Sequence, residues 1–202
     1  MAMKPEDVLK VIAQHRGDAI CVPTMTTGPA WREMQPDDLS VGCVGFMGGA
    51  SSLGLGLALA RPERRVVVFD GDGSLLMQLG SLATIAGARP RNLVHLLFKN
   101  GVYHTSGSQE IPGGLVVDFV TMAKGAGYKT CIQIGDLEEF KRRFPKMLTE
   151  EGPIFAEPLL DTFSVPHARL EGPNDVHLIT EYYRLSRQRK GPAAVLVGLE
   201  TI

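Results

Sequence analysis

The stretch Arg65-Val66-Val67-Val68-Phe69-Asp70-Gly71-Asp72-Gly73-Ser74 sets the fold. Residues 66–69 are apolar and largely β-branched with no alternation, the pattern of a parallel strand buried on both faces. Glycines 71 and 73 place turn residues at the carboxyl end of that strand. After them Leu75, Leu79, Leu82 and Ile85 recur at helical spacing and predict a helix over 74–87. Pro90 closes the connection, and residues 93–98 form a second apolar run that leads to Asn100. Strand, helix and strand in that order make a βαβ unit, whose two strands run parallel.

The same alternation extends in both directions. On the amino-terminal side lie a helix over 5–16 (Val8, Val11 and Ile12 on one face), a strand over 18–22 and a polar loop over 23–36. A strand-like or loop segment over 41–47 and a helix of small residues over 48–61 follow. Gly54 and Gly56 weaken that helix by about 1 kcal/mol each, which implies close packing against a neighbour. On the carboxyl side come a polar loop over 100–114, a helix over 116–127 and a strand over 129–134. Asp136 caps a helix running to Leu148, and a short strand spans 153–157. This order predicts an α/β, doubly wound, mostly parallel sheet with helices on both faces, formed by residues 1–160. Residues 161–202 form a tail with an amphipathic helix over 175–189, where Leu178, Ile179, Tyr182 and Leu185 share a side.

Composition excludes several classes. With 202 residues, 44% apolar and 21% charged, the chain falls in the globular range. A net charge of −1 gives no basic excess for nucleic acid. The longest apolar run, 53–60, is too short to cross a bilayer, and the opening MAMKPEDVLK has charges where a secretory signal needs an apolar core. The three cysteines, at 21, 43 and 131, form no CxxC pair, so zinc, iron–sulfur and disulfide frameworks find no support. The expectation is a soluble, cytoplasmic chain. Glycine is the outlier, with 23 residues against a norm of about 7%.

Asp72 and Asn100 stand just past the carboxyl ends of two consecutive strands, the rim where open α/β sheets bind ligands. A carboxylate and an amide oxygen are hard ligands suited to Mg²⁺ or Ca²⁺. Glycines 71 and 73 allow a ligand to approach the backbone, and a helix starting at Ser74 would aim free N–H groups at the same rim. Diphosphate with Mg²⁺ fits this set. Taken alone, a Gly-Asp-Gly triplet is also an ordinary βα turn; the spaced Asn100 behind a second buried strand distinguishes the two.

Gly-Asp-Gly followed by a helix, a strand and Asn resembles the cofactor-binding motif of thiamine-diphosphate-dependent enzymes. With VGFMGGASSLGLGLALA (44–60), FDGDGSLLMQLGSLATIA (69–86) and NGVYHTSGSQ (100–109), the chain is similar to the diphosphate-binding half of 2-oxo-acid decarboxylases. The sulfopyruvate and phosphonopyruvate decarboxylases come nearest. The resemblance implies thiamine diphosphate and Mg²⁺ as cofactors. Asp72 and Asn100 would coordinate the metal by side chain and Val102 by its carbonyl, while Gly73 and Ser74 contact the diphosphate. The Gly45 carbonyl would accept a hydrogen bond from the aminopyrimidine, and Met47 would support the bent cofactor from below. Thr27, Gly28, Phe46, Gly71 and Tyr103 complete the expected cofactor contacts. His104, in the loop over the cofactor, is the candidate for proton transfer. The match has departures: Lys99 replaces a common Asn, and Ala30 and Trp31 stand where the family often has Thr and Ser, so the contacting Thr of the 24–27 loop stays open. Trp31 would reshape the substrate mouth.

The family also needs a glutamate at N1′ of the pyrimidine, carried by a separate pyrimidine-binding domain, and the chain has no room for one. The resemblance therefore implies a pyrimidine-binding, alpha-type partner subunit, an oligomeric enzyme and a small acidic 2-oxo acid as substrate, with neither nucleic acid nor membrane involved. Carboligase or 2-oxo-acid oxidoreductase subunits, and a non-catalytic chain keeping the fold, are the alternatives. A dinucleotide dehydrogenase fits poorly, because Gly54-x-Gly56 precedes the strong strand instead of following one.

Overall fold

The computed structural model describes residues 3–36, 38–114 and 116–160, and the backbone of 167–170 and 194–197. The chain opens with α1 (Pro5–His15), which has Glu6 and Asp7 in its first turn and His15 in its last, charges that suit the helix dipole. There follow β1 (Ile20–Pro23), α2 (Gly28–Met34), α3 (Ala50–Ala60), β2 (Val66–Gly71), α4 (Asp72–Leu76), α5 (Gly80–Ala88) and β3 (Leu93–Phe98). A small hairpin, β4 (Val102–Tyr103) and β5 (Gln109–Glu110), encloses a 3₁₀ turn at His104–Ser106. Then come α6 (Phe119–Ala126), β6 (Thr130–Ile134), α7 (Leu137–Met147) and β7 (Ile154–Pro158). Two further strands, β8 (His167–Leu170) and β9 (Ala194–Val197), form a separate parallel pair.

The main sheet has five strands in the order β1-β2-β3-β7-β6, and every pair is parallel. From β1 through β2 and β3 to β6 the chain advances in one direction, and from β6 to β7 it steps back. Right-handed crossovers place connections of opposite direction on opposite faces. Accordingly α3, α5 and α6 cover the face formed by Val66, Val68, Leu93 and Leu97. Helix α7, with α1 and α2, covers the face formed by Val67, Phe69, Val94 and Leu96. The unbroken apolar run of β2 is thus explained: successive residues enter two different cores.

Several expectations need revision. The loop over 23–36 contains α2, begun by Gly28 and Pro29; its Trp31 is 0% exposed and sets its ring edge-on to Phe69 at 4.9 Å. Trp31 therefore belongs to the core and does not shape a substrate mouth. The helix over 74–87 is two helices. Met77 and Gln78 donate three residues back, to the Ser74 and Leu75 carbonyls, and this tightened turn separates α4 from α5 while the leucine spacing runs on. The segment 41–47, read as strand-like or loop, is loop; single bridges of Cys21 with Ser40 and of Thr24 with Cys43 lay residues 40–43 along β1 and the residue after it. The helix over 116–127 starts at Phe119 because the Asp118 side chain accepts the Thr121 N–H and caps it. Asp136 caps α7 as expected, accepting the Glu139 N–H at 2.8 Å. The helix over 175–189 lies outside the described residues.

The two glycines of α3 are not alike. A Cβ on Gly54 would overlap Val68 Cγ2 in the core, whereas a Cβ on Gly56 would meet nothing within 4 Å. Gly54→Ala is expected to destabilise by about 1–3 kcal/mol through overpacking, and Gly56→Ala to stabilise by about 0.5–1 kcal/mol through helix propensity. Urea denaturation of the two variants decides; shifts of the same sign would contradict this packing.

Candidate functional site

Strand β2 ends where Asp72 begins α4, and the Asp72 side chain is 1% exposed. Its Oδ1 accepts the Gly73 N–H at 2.8 Å, and Oδ2 accepts the N–H groups of Gly101 at 2.7 Å and Asn100 at 3.1 Å. Burial pushes the Asp72 carboxyl above the ordinary range, and these three N–H groups and Lys99 pull it part of the way back. The helix expected to start at Ser74 starts two residues earlier, at Asp72. Helix α4 is five residues long and the Gly73 N–H is already engaged by Asp72.

Asn100 follows β3 and its Oδ1 accepts the Val102 N–H at 3.0 Å, so its side-chain oxygen faces the same turn as the Asp72 carboxylate. A carboxylate offers about four lone-pair sites and an amide oxygen two, so each retains acceptor capacity. No group of three His, Cys, Asp or Glu side chains that could hold a metal occurs among the described residues. A cation here would therefore draw on Asp72, the Asn100 amide oxygen and backbone carbonyls, with water or phosphate oxygens completing its shell. Gly73 admits the hairpin: a Cβ there would lie 2.5 Å from Tyr103 Cε1 and 2.9 Å from Ile111 Cγ2.

Two loops, paired through Thr24 and Cys43, form walls of the cleft. The loop after β1 contributes Thr24 to Thr27. Thr24 Oγ1 donates to the Phe69 carbonyl at 2.9 Å, and Thr27 Oγ1 accepts the Thr24 N–H at 3.1 Å, so both hydroxyls brace the loop. Thr26 lines the same wall and makes no side-chain hydrogen bond among the described residues. Gly28 is buried, and its N–H is engaged by the Thr24 carbonyl at 2.7 Å. The second wall carries Phe46 and Met47. Gly45 beside them has φ +76°, a conformation that favours glycine, and is exposed. The Gly48 N–H donates to Ser74 Oγ at 2.9 Å and fastens this loop to α4.

The structure brings Thr27, Phe46, Met47, Gly71, Asp72, Gly73, Ser74, Asn100, Val102, Tyr103 and His104 to one cleft. Gly28 and Gly45 flank it. His104 is half-buried in its wall; desolvation lowers its pKa, opposed by Glu6 of α1. The cluster that sequence reasoning missed lies beneath. His95 is buried, with Nε2 3.2 Å from Asp70 Oδ2 and Nδ1 3.1 Å from the Tyr128 hydroxyl. A polar residue inside an apolar strand, in register just before Asp70, was the available signal.

A buried carboxylate and an amide oxygen at the carboxyl rim of a doubly wound sheet, under a glycine-bearing wall, define a cofactor-binding α/β domain. The model of the thiamine pyrophosphate enzyme C-terminal TPP-binding domain matches residues 21–157, and the chain belongs to that family. It is 43% identical over 131 residues to a phosphonopyruvate decarboxylase of Streptomyces hygroscopicus, a match covering 63% of this chain and 32% of that one. It is 45% identical over 108 residues to the sulfopyruvate decarboxylase subunit beta of Methanocaldococcus jannaschii, covering 54% of this chain and 56% of that one. The chain thus spans between a third and somewhat over half of these relatives. The solved thiamine diphosphate-dependent 4-hydroxybenzoylformate decarboxylase of Rhodococcus jostii RHA1 superposes with TM-score 0.67 at 21% identity, covering 80% of this chain and 33% of that one. That likeness shows the shared fold.

Next to Asn100, the strand ends hold a second buried acid. Glu157 Oε1 accepts from Gln133 Nε2 at 2.6 Å and lies 3.4 Å from Lys99 Nζ, while Oε2 is buried with no hydrogen-bond partner. Burial raises its pKa, against the pull of Gln133 and Lys99. A carboxyl whose folded pKa is raised loses stability as pH climbs from its unfolded value through its folded one. Glu157→Gln should therefore gain stability relative to wild type on going from pH 4 to pH 7. Urea midpoints at both pH values test this, and an unchanged difference would refute it.

Proposed function

We propose that this chain is the diphosphate-binding subunit of a thiamine-diphosphate-dependent lyase that decarboxylates a small acidic 2-oxo acid of the sulfopyruvate or phosphonopyruvate kind. The observation that carries the reading is the Asp72 carboxylate gripping the Asn100 turn, with acceptor capacity left on both side chains. Asp72, Asn100 and the Val102 carbonyl would hold Mg²⁺, and Gly73 and Ser74 the diphosphate. The Ser74 hydroxyl, accepting from Gly48, still has its own proton to donate. Thr26 is the hydroxyl of its loop left for a ligand. The Gly45 carbonyl and the apolar Met47 side chain would orient the pyrimidine end, with Phe46 and Tyr103 excluding water. When bound, thiamine diphosphate supplies the electron sink for loss of CO₂ from the 2-oxo acid. His104, held toward its neutral form at the cleft wall, is suited to transfer a proton at the substrate end.

No glutamate lines the cleft among the described residues, which supports a second, alpha-type chain supplying the missing acid in a heteromeric enzyme. Relatives named "subunit beta" support the same arrangement. The unpaired thiols of Cys21, Cys43 and Cys131 fit the cytoplasm. No described helix is long and apolar enough to cross a membrane. The domain unit is residues 1–160.

Two experiments test this. In calorimetry on the assembled protein, Asp72→Ala should abolish Mg²⁺-dependent thiamine diphosphate binding, and Asn100→Ala should weaken it less, since a neutral ligand contributes less charge. Unchanged affinity in Asp72→Ala would remove the metal assignment. In decarboxylation assays over sulfopyruvate, phosphonopyruvate and unsubstituted 2-oxo acids, this chain alone should be inactive and regain turnover when mixed with a pyrimidine-domain chain. Full turnover by the chain alone would refute the half-site.

A further inference from the structure

Val68 is the register partner of His95, so Asp70, two residues on, projects from the same face of β2 as His95 does from β3. Both side chains are 0% exposed. Beneath them Tyr128, which follows α6, completes a buried chain: Tyr128 hydroxyl to His95 Nδ1 at 3.1 Å, and His95 Nε2 to Asp70 Oδ2 at 3.2 Å. The direction of the bonds follows from the donor inventory. Burial and the nearby Asp70 keep the Tyr128 phenol protonated, and the tautomer that satisfies both contacts has Nε2–H donating to Asp70 Oδ2 and Nδ1 accepting from the Tyr128 hydroxyl. Phe155 packs edge-on against both rings, 5.2 Å from His95 and 5.8 Å from Tyr128.

Well-packed apolar residues generally stabilise a core as well as a buried ionic group does, so stability alone gives little reason for this chain. Its position gives a better one. The other oxygen of Asp70, Oδ1, accepts the Gly71 N–H at 2.9 Å, fixing the peptide that leads into Asp72. Two residues later Asp72 takes the N–H groups of Asn100 and Gly101 beyond the end of β3. Two carboxylates, one in β2 and one just past its end, therefore fasten onto the neighbouring segment, Asp70 on β3 within the sheet and Asp72 on the turn that follows β3 at the rim.

We propose that the Asp70–His95–Tyr128 chain is a positioning device for the cation cradle: it sets how the carboxyl end of β2 meets that of β3, and so how Asp72 faces Asn100. His95 and Tyr128 act through Asp70 and touch no ligand. The inference rests on the proposed cofactor reading only for the purpose of the cradle, and its test is independent of any ligand. Amide hydrogen exchange of Asn100 and Gly101, read by NMR on the full chain without ligand, reports the Asp72 grip directly.

Tyr128→Phe removes one hydroxyl and should speed exchange at both amides roughly tenfold, well beyond its effect on the core amides of β3. Phe155→Leu, which disturbs the same packing without touching a hydrogen bond, should leave these amides at the pace of its global stability change. His95→Gln, which keeps a donor for Asp70, should exchange more slowly there than His95→Leu. Equal acceleration in Tyr128→Phe and Phe155→Leu, or no acceleration in Tyr128→Phe, would overturn the positioning role. A parallel titration with Mg²⁺ and thiamine diphosphate keeps the two readings apart. Failure of the wild-type assembly to bind removes the cofactor assignment, whereas the exchange data alone decide the positioning chain.

Discussion

The buried Asp72 carboxylate is the knot on which the rest of the site depends. Isolated in a protein interior, a charged carboxylate is strongly unfavourable. Here three backbone N–H groups from two separate segments converge on it. To supply them, the chain after β3 must turn at once, and Gly101 makes that turn at φ +75°. The end of one strand is thereby tied to the start of the loop after the next. The tie is incomplete as electrostatics, since burial still raises the Asp72 pKa. A divalent cation at this point would relieve that residual cost, so its binding would strengthen the knot that shapes its own site.

The walls are built the same way. Ser74 holds the Gly48 amide, Thr27 the Thr24 amide, and Thr24 the Phe69 carbonyl. Each of these small polar side chains is matched to a backbone amide or carbonyl that borders the cleft. These braces tie one wall to β2 and the other to α4. The Asp70–His95–Tyr128 chain extends this bracing downward into the sheet.

Much of this was legible in the sequence. The β2–β3 unit declares itself because parallel strands buried on both faces carry apolar runs, unbroken over residues 66–69 and interrupted only by His95 in β3, and because ligands lie at strand ends. Asp72 and Asn100 followed from those two facts. What stayed hidden has physical causes. Helix α2 is short and carries no apolar repeat; a single buried Trp31 anchors it, and one residue makes no periodicity. The break between α4 and α5 is invisible because the leucines keep helical spacing across a tightened turn. The expected role of Thr27 depends on where its hydroxyl points, and the hydroxyl turns to the Thr24 backbone. His95 could be read only with β2 and β3 in register, since its partners Asp70 and Tyr128 are remote in sequence.

The distribution of polarity over the cleft bears on why such a site would be divided between two chains. The end built around Asp72 is buried and hydrogen-bonded. The segment beside it is apolar and bare: Val44 is 61% exposed and Phe46 64%. Phe46 nonetheless lies directly over Gly49, where even a methyl group would collide with its ring, so the loop is shaped to hold the aromatic outward. Large apolar side chains clustered beside a cleft mark a surface that gains free energy when covered. Under the two-chain reading, the charged end of the cofactor needs preorganised donors, which a single folded unit supplies best. The apolar end needs exclusion of water, which a second surface can provide by closing over it. The hydrophobic drive to cover Val44 and Phe46 would then be the same event that completes the active site, so that assembly and catalytic competence arise together.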